Sequence, residues 1–163
     1  MNLTLFYTKQ LELESFVRMN LNIPEEEFVS DVMVDKRIFA FKVELAELAN
    51  ETAWFKYWKR SHKPDPAAVI EELADCIHFL TAIGIYRNYR FITEITPEPW
   101  TAASEQALYG YIMNNDLASS GKWKNAFEQL IAIGLKLGFT LEQQINAYLA
   151  KNKKNVERQK DHY

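Results

Sequence analysis

The chain has 163 residues, of which 48% are hydrophobic and 25% are charged, and it carries a net charge of −3. These fractions are typical of a globular domain and exclude a disordered, collagen-like or low-complexity protein. The single cysteine, Cys76, excludes an internal disulfide framework and a cysteine-cluster metal site. The acidic balance argues against a general nucleic-acid-binding protein, and no apolar run approaches the roughly 18 residues of a membrane span. We expect one soluble cytoplasmic domain over residues 1–163, with neither a membrane nor a nucleic-acid polymer as partner.

Apolar residues recur at intervals of three and four through the first half of the chain, a spacing that predicts helices. The first break between these stretches, residues 24–34, is an acidic connection. We expect Asp35 to cap the second helix and Asp65 to cap the third. Pro66 then lies in a first turn, where its missing N–H group costs nothing. The predicted helices cover residues 3–21, 35 to about 60, and 66 to about 89.

The second half of the chain begins with an irregular, proline-containing stretch over residues 91–100. Shorter helical patterns follow, and Gly138 is a suitable stop because glycine accepts the left-handed conformation after a helix. Thr140 and Gln143 have the spacing of a capping box at the start of the last helix. The predicted helices cover residues 102–117, 122–137 and 141–160. Since no alternating strand pattern occurs, we predict an all-α, bundle-like domain of five or six helices.

Two pairs of carboxylates, each pair three residues apart, are the most informative feature of the sequence. Glu44 and Glu47 lie on the second predicted helix, and Glu72 and Asp75 lie on the third. Residues three apart share a helix face, so each pair directs its carboxylates to one place. A single pair of this kind is more typical of a solvated surface than of a functional site.

Both acidic pairs are aligned with large aromatic side chains on the same helix face, which an ordinary solvated surface does not show. The line of the first pair leads to Trp54 and Trp58, and that of the second leads to Phe79. If the two helices pack, four carboxylates meet in a partly buried place and repel one another unless a cation lies among them. Oxygen ligands alone favour Mg²⁺ or Mn²⁺. Because Mg²⁺ commonly bridges to substrate phosphates, the pattern indicates phosphate-ester chemistry.

Basic and aromatic residues occur in two places that suit a nucleotide. Lys56 and Lys59 flank Trp58, so they offer cations for phosphates and an aromatic face for a base; the alternative is a core tryptophan with solubilising lysines. Residues 150–163 are basic, although a frayed basic tail is the alternative there. The polar and aromatic stripe of this last helix consists of Tyr148, Lys151, Asn152, Asn155, Arg158 and Gln159.

Together these residues resemble the all-α nucleoside triphosphate pyrophosphatases, a superfamily that includes the MazG proteins. The E-x-x-E and E-x-x-D pairs are the superfamily's pattern. The K-Y-W-K run over residues 56–59 and the K-N-x-x-N-x-x-R-Q run over residues 151–159 are more similar to its dimeric dUTPase branch. The resemblance extends from Gln10 to Arg158, and residues 90–125 contribute no motif to it.

The resemblance implies Mg²⁺-dependent hydrolysis of dUTP to dUMP and pyrophosphate by a homodimer, with Mn²⁺ as a substitute metal. It implies that the metal ligands are Glu44, Glu47, Glu72 and Asp75. One of these glutamates, with Glu44 as the first candidate and Glu47 as the second, would orient or deprotonate the attacking water. The cations placed around the phosphates would be Lys56, Lys59, Lys151 and Arg158. The remaining substrate contacts would be Asn152 and Asn155 for sugar and phosphate, Gln10 for uracil, and Trp58 near the base.

The sequence departs from the family pattern at two places near the expected base site. Glu14 stands where related chains would have Asp or Asn, and residues 52–54 replace a Trp-Arg-Gly-like run. The preferred base is therefore open, and a pyrophosphohydrolase for dCTP or a modified nucleotide is one alternative. An inactive helical binding module of the same fold is another, although four intact acids argue against it. We expect His78 to be a hydrogen-bonded structural residue and Cys76 a small core residue.

Overall fold

The computed structural model describes residues 1–59 and 61–160. Within these residues it contains seven α-helices, one 3₁₀ turn and no extended strand beyond a single isolated bridge between Asn2 and Glu94. The predicted all-α fold is confirmed, and an additional short helix lies in the segment that we expected to be only an acidic connection. The elements are α1 Thr4–Asn20, α2 Glu25–Phe28, α3 Asp31–Thr52, α4 Pro66–Tyr86, a 3₁₀ turn Glu98–Ala102, α5 Glu105–Asn114, α6 Ser120–Lys136 and α7 Leu141–Lys160.

Several helix ends form as their local sequence predicts. The Asp65 carboxylate accepts a hydrogen bond from the backbone N–H of Ala67 at 3.0 Å, with proline in the first turn of α4. Thr140 and Gln143 form a reciprocal capping box, with side chain-to-backbone distances of 3.2 and 2.8 Å. Gly138 follows α6 with a φ of +91°, a conformation that favours glycine. These local signals fix where α4, α6 and α7 begin or end.

The boundaries of α3 differ from the prediction at both ends. The helix begins at Asp31 because Ser30 caps it, accepting a hydrogen bond from the N–H of Met33 at 3.3 Å, so the predicted cap at Asp35 is wrong. The helix ends at Thr52, and Ala53 takes a left-handed conformation with φ of 51°. Residue 60, where we expected the helix to end, lies outside the described residues.

At the end of α3, side chains of the following segment form hydrogen bonds with the carbonyl groups of the last turn. Lys56 Nζ donates to the carbonyl oxygen of Asn50 at 3.1 Å, and His62 Nε2 lies 2.9 Å from the carbonyl oxygen of Glu51. Such contacts replace the hydrogen bonds that a continuing helix would supply. As a result, residues 53–59, here called the aromatic turn, no longer follow the helical line of the acidic pair.

The helix α4 lies at the centre of the molecule and packs against α1, α3, α6 and α7. Its apolar residues Leu73, Ile77 and Leu80 are fully buried. Trp123 of α6 donates its indole N–H to the carbonyl oxygen of Leu80 at 2.8 Å. Gly84 is required at this crossing because a Cβ atom there would lie 2.5 Å from the Trp123 ring. Among the described helices, none is both long and apolar enough to span a membrane.

Candidate active site

A cleft of about 480 Å³ opens where α1, α3, α4 and α7 meet. Its walls carry opposite charges. The acidic wall is formed by Glu44 and Glu47 of α3 and by Glu72 and Asp75 of α4, and α7 contributes Lys151, Asn155 and Arg158. The packing of α3 against α4 therefore brings the two acidic pairs to one place.

Three of the four acids form a tight cluster. One carboxylate oxygen each from Glu44, Glu72 and Asp75 lies within 4.8 Å of the other two, and all three side chains are half-buried. Glu47, one helical turn beyond Glu44, is more exposed and lines the same cleft. Three hard oxygen donors at this separation are a set that a divalent cation such as Mg²⁺ accepts.

The cluster raises the proton affinity of its own members. Burial, and then the negative charges of Asp75 and Glu47, raise the pKa of Glu44 to about 7. Burial is also the main cause of the raised pKa values of Glu72 and Asp75. A bound cation stabilises carboxylates of this kind, since its positive charge offsets both the cost of burying them and their mutual repulsion. The cluster is thus suited to hold a metal ion.

A lysine ammonium already lies against this cluster. Lys151 Nζ is 2.5 Å from Asp75 Oδ2 and 2.9 Å from Glu71 Oε1, and its side chain is only 11% exposed. The hydrogen bonds from Lys154 and Lys151 lower the pKa of Glu71 to about 2. The position beside Asp75 therefore accepts a cation, which supports the fit of the donor set to a metal.

A chain of buried polar groups lies at the α1 side of the cleft. His78 Nδ1 lies 2.8 Å from Gln10 Oε1, and His78 Nε2 lies 3.2 Å from the carbonyl oxygen of Tyr148. Burial lowers the pKa of His78 to about 4, so the imidazole is neutral near pH 7. His78 is the hydrogen-bonded structural residue that we expected, and it holds the Gln10 side chain in place.

The chain of buried polar groups continues through Glu14 and Arg37, which were not among the predicted site residues. Gln10 Nε2 donates to Glu14 Oε1 at 3.0 Å, and Arg37 pairs with Glu14 Oε2 at 2.9 Å. The buried Arg37 guanidinium also lies 4.0 Å from the ring centre of Tyr86. The spacing of Gln10 and Glu14 on one helix face was a usable signal, but no local pattern connects Arg37 to them.

A model of the dUTPase family matches residues 2–163 of this chain. The chain belongs to the dUTPase family. It is a nucleoside triphosphate pyrophosphohydrolase of the dUTP diphosphatase type, which confirms the resemblance drawn from its motifs. No curated protein matches the sequence.

In this dUTPase, the predicted substrate residues fall into three groups. The cleft is lined by Gln10, Lys151, Asn155 and Arg158, together with all four acids. Asn152 does not line it, because its side-chain amide is buried and donates to the carbonyl oxygen of Lys9 at 3.1 Å, which ties α7 to α1.

The other predicted contacts lie on the aromatic turn, outside the cleft. They are Lys56, Trp58 and Lys59. Trp58 is 60% exposed, and Lys56 also bonds the side chain of Asn50. The sequence could not show this separation because the expected continuous helix would have placed Trp58 in line with the acids.

Proposed function

We propose that the cleft binds dUTP together with Mg²⁺ and that Glu44, Glu47, Glu72 and Asp75 hold the metal. The observation that supports this proposal best is the close, half-buried set of Glu44, Glu72 and Asp75. The pKa values of all three carboxyls are raised mainly by burial, so a divalent cation would relieve an unfavourable arrangement. Mn²⁺ would substitute, because it accepts the same oxygen ligands.

The chain's own residues have distinct roles in this proposal. A bound metal ion would neutralise charge on the triphosphate and lower the pKa of water. Glu44, or else Glu47, orients the attacking water and accepts its proton as the bond between the α- and β-phosphates breaks. Lys151 and Arg158 contact the phosphates from α7. Asn155 contacts the sugar or a phosphate from the same helix.

Base recognition is proposed for the α1 side of the cleft. The Gln10 amide oxygen lies beside His78, and one amide N–H donates to Glu14. The second amide N–H is left to donate to a uracil carbonyl. Asn152 would have to release the Lys9 carbonyl oxygen before it could reach a sugar. Lys56, Trp58 and Lys59 can contact the nucleotide only if the aromatic turn moves toward it or a second subunit supplies the turn.

The experiment that tests this function is product formation from each dNTP by the purified protein, with Mg²⁺, with Mn²⁺ and with EDTA. We expect dUMP and pyrophosphate from dUTP, and loss of turnover in EDTA. Turnover of dUTP that persists in EDTA would contradict the metal assignment. Preferential hydrolysis of dCTP would agree with the proposed reaction but contradict the proposed preference for uracil.

We also propose that the dUTPase is a homodimer and that an exposed apolar surface beside the cleft is its contact face. Phe39 and Val43 of α3 are exposed, and they share a surface groove with Phe55 and Met113. Glu47 lines both this groove and the cleft, so a second copy seated there would border the active site. Large apolar surface patches of this kind favour association.

Light scattering after gel filtration tests the dimer. We expect the mass of two chains for the wild type and of one chain for Phe39→Glu, with unchanged helix content. A wild type that is monomeric at micromolar concentration would contradict the proposal. The cytoplasmic location stays a prediction from the sequence.

A further inference from the structure

Lys151 is held by two carboxylates that lie on successive turns of α4. Its ammonium bridges Glu71 Oε1 and Asp75 Oδ2, at 2.9 and 2.5 Å. Asp75 belongs to the three-carboxylate cluster, whereas Glu71 neither belongs to it nor lines the cleft. The same Glu71 oxygen also accepts a hydrogen bond from Lys154 at 2.7 Å. Glu71 is therefore fixed from outside the cleft, and Lys151 joins it to the cluster.

The ammonium of Lys151 and a metal ion cannot both occupy the place beside Asp75 Oδ2. Mg²⁺ binds a carboxylate oxygen at roughly 2.1 Å, and an ammonium 2.5 Å from Asp75 Oδ2 fills the same approach. The two cations would also repel strongly at such a separation in a partly buried site. A metal ion on Asp75 Oδ2 would therefore break the contact between Lys151 and Asp75, whereas the contact with Glu71 would stay available.

We propose that Lys151 is a resident counter-ion of the acidic cluster, which a divalent cation displaces from Asp75, and that Glu71 is a positioning residue that keeps the displaced ammonium at the cleft for the triphosphate. This inference rests on the metal site proposed above. Lys151 would then pair first with the metal-free acids and afterwards with the phosphate oxygens. The metal and Lys151 also compete when no nucleotide is bound.

The competition is tested by titrating the full-length protein with Mn²⁺ in the absence of nucleotide, following the electron paramagnetic resonance signal of the free ion. Removing the competitor in Lys151→Met should tighten Mn²⁺ binding by about tenfold. Lys153→Met is the matched control, because Lys153 lies on the same helix and is 80% exposed, with Glu157 as its partner at 4.0 Å. This control should change the affinity by less than about twofold, since an exposed charge is well screened.

The role of Glu71 is tested by a double-mutant cycle with the same readout. In Glu71→Gln the displaced ammonium has lost its second partner, so Mn²⁺ binding should weaken by about fivefold. In the Lys151→Met background the same substitution should have less than about a twofold effect, because only the distant charge of Glu71 remains to be lost. Circular dichroism checks that each variant retains its helix content.

Each failure has a separate meaning. Equal affinities for Lys151→Met and Lys153→Met would overturn the counter-ion role. An equal effect of Glu71→Gln in both backgrounds would overturn the positioning role of Glu71. A folded wild type that binds no Mn²⁺ would instead contradict the metal site itself, and with it the proposed function.

Discussion

The acidic cleft and the aromatic turn are both prominent in the sequence, but the structure holds them in different ways. In the cleft, the charged groups of four helices converge, and burial, together with repulsion from neighbouring acids, raises the pKa values of Glu44, Glu72 and Asp75. On the turn, Tyr57 and Trp58 are 86% and 60% exposed, and Lys56 is bound to the end of α3. The first region is organised before any ligand binds, whereas the second exposes Tyr57 and Trp58 to solvent.

The difference shows when the spacing of residues in the sequence predicts a shared helix face. The acids lie within unbroken helices, so their three-residue spacing becomes a shared face in the structure. Trp58 was placed on the same line only because α3 was expected to continue past Thr52. Once Ala53 adopts a left-handed φ of 51°, the chain turns away, and spacing counted across that point has no spatial meaning.

The largest expected effect comes from neutralising the cluster. Glu44→Gln should lower turnover of dUTP by at least about a hundredfold, because it removes a proposed metal ligand and proposed proton acceptor. It should at the same time raise the stability of the metal-free protein at pH 8, since it removes a partly buried charge and its repulsion from Asp75, Glu47 and Glu72. Steady-state kinetics and thermal unfolding in EDTA measure the two effects.

Glu51→Gln is the matched control, because Glu51 lies on the same helix and does not line the cleft. It should leave turnover within about twofold of wild type. Equal losses in Glu44→Gln and Glu51→Gln would mean that α3 contributes only its net charge, and the distinction between cleft and surface would fail.

The next effect concerns the aromatic turn. If Trp58 stacks on the base in the working enzyme, Trp58→Ala should raise KM for dUTP by about tenfold, and by more than for other nucleotides. Tyr57→Ala, at a neighbouring and even more exposed position, should leave KM nearly unchanged. An unchanged KM for every nucleotide would show that Trp58 does not contact the base, and that the cleft acts without this turn.

A smaller effect is the pH dependence of stability in the metal-free protein. The pKa of Glu44 is raised from 4.5 to about 7, so the folded state holds a proton that the unfolded state releases. Stability from this group is therefore complete below about pH 4.5 and is lost as the pH rises to 7. Between pH 5 and 8, we expect the free energy of unfolding of the wild type to fall by about 1 kcal/mol relative to that of Glu44→Gln, after solvent screening is allowed for.

Urea unfolding in EDTA at several pH values measures this difference. Mg²⁺ at saturating concentration should abolish it, because a bound cation keeps Glu44 ionised. Parallel pH profiles for wild type and Glu44→Gln in EDTA would contradict the account of a strained acidic cluster.

The smallest effect is expected at the end of α3. Lys56→Met removes a partner of the Asn50 carbonyl group and should lower the free energy of unfolding by about 0.5 kcal/mol. Lys59→Met, in the same turn, should not change it measurably. If neither variant affects stability, the lysine contact does not help to end the helix.

Much of the fold could be predicted because its signals are local. Asp65 before a proline, the Thr140–Gln143 box and Gly138 each act within one helical turn, and each forms as expected. The end of α3 could not be predicted, since it depends on His62, eleven residues beyond Glu51. Likewise Arg37 of α3 reaches Glu14 of α1, a contact between distant parts of the sequence that only the tertiary structure creates.

We propose above that the cluster of Glu44, Glu72 and Asp75 is the metal site at which dUTP is hydrolysed. The most direct test is a crystal structure with Mg²⁺ and a dUTP analogue whose α–β bridge is an imido group that resists cleavage. We predict metal density within roughly 2.1 Å of these carboxylate oxygens, the triphosphate in the cleft, and the Lys151 ammonium moved from Asp75 toward a phosphate. A triphosphate bound elsewhere, or a cluster with Lys151 still on Asp75 and no metal, would contradict the account.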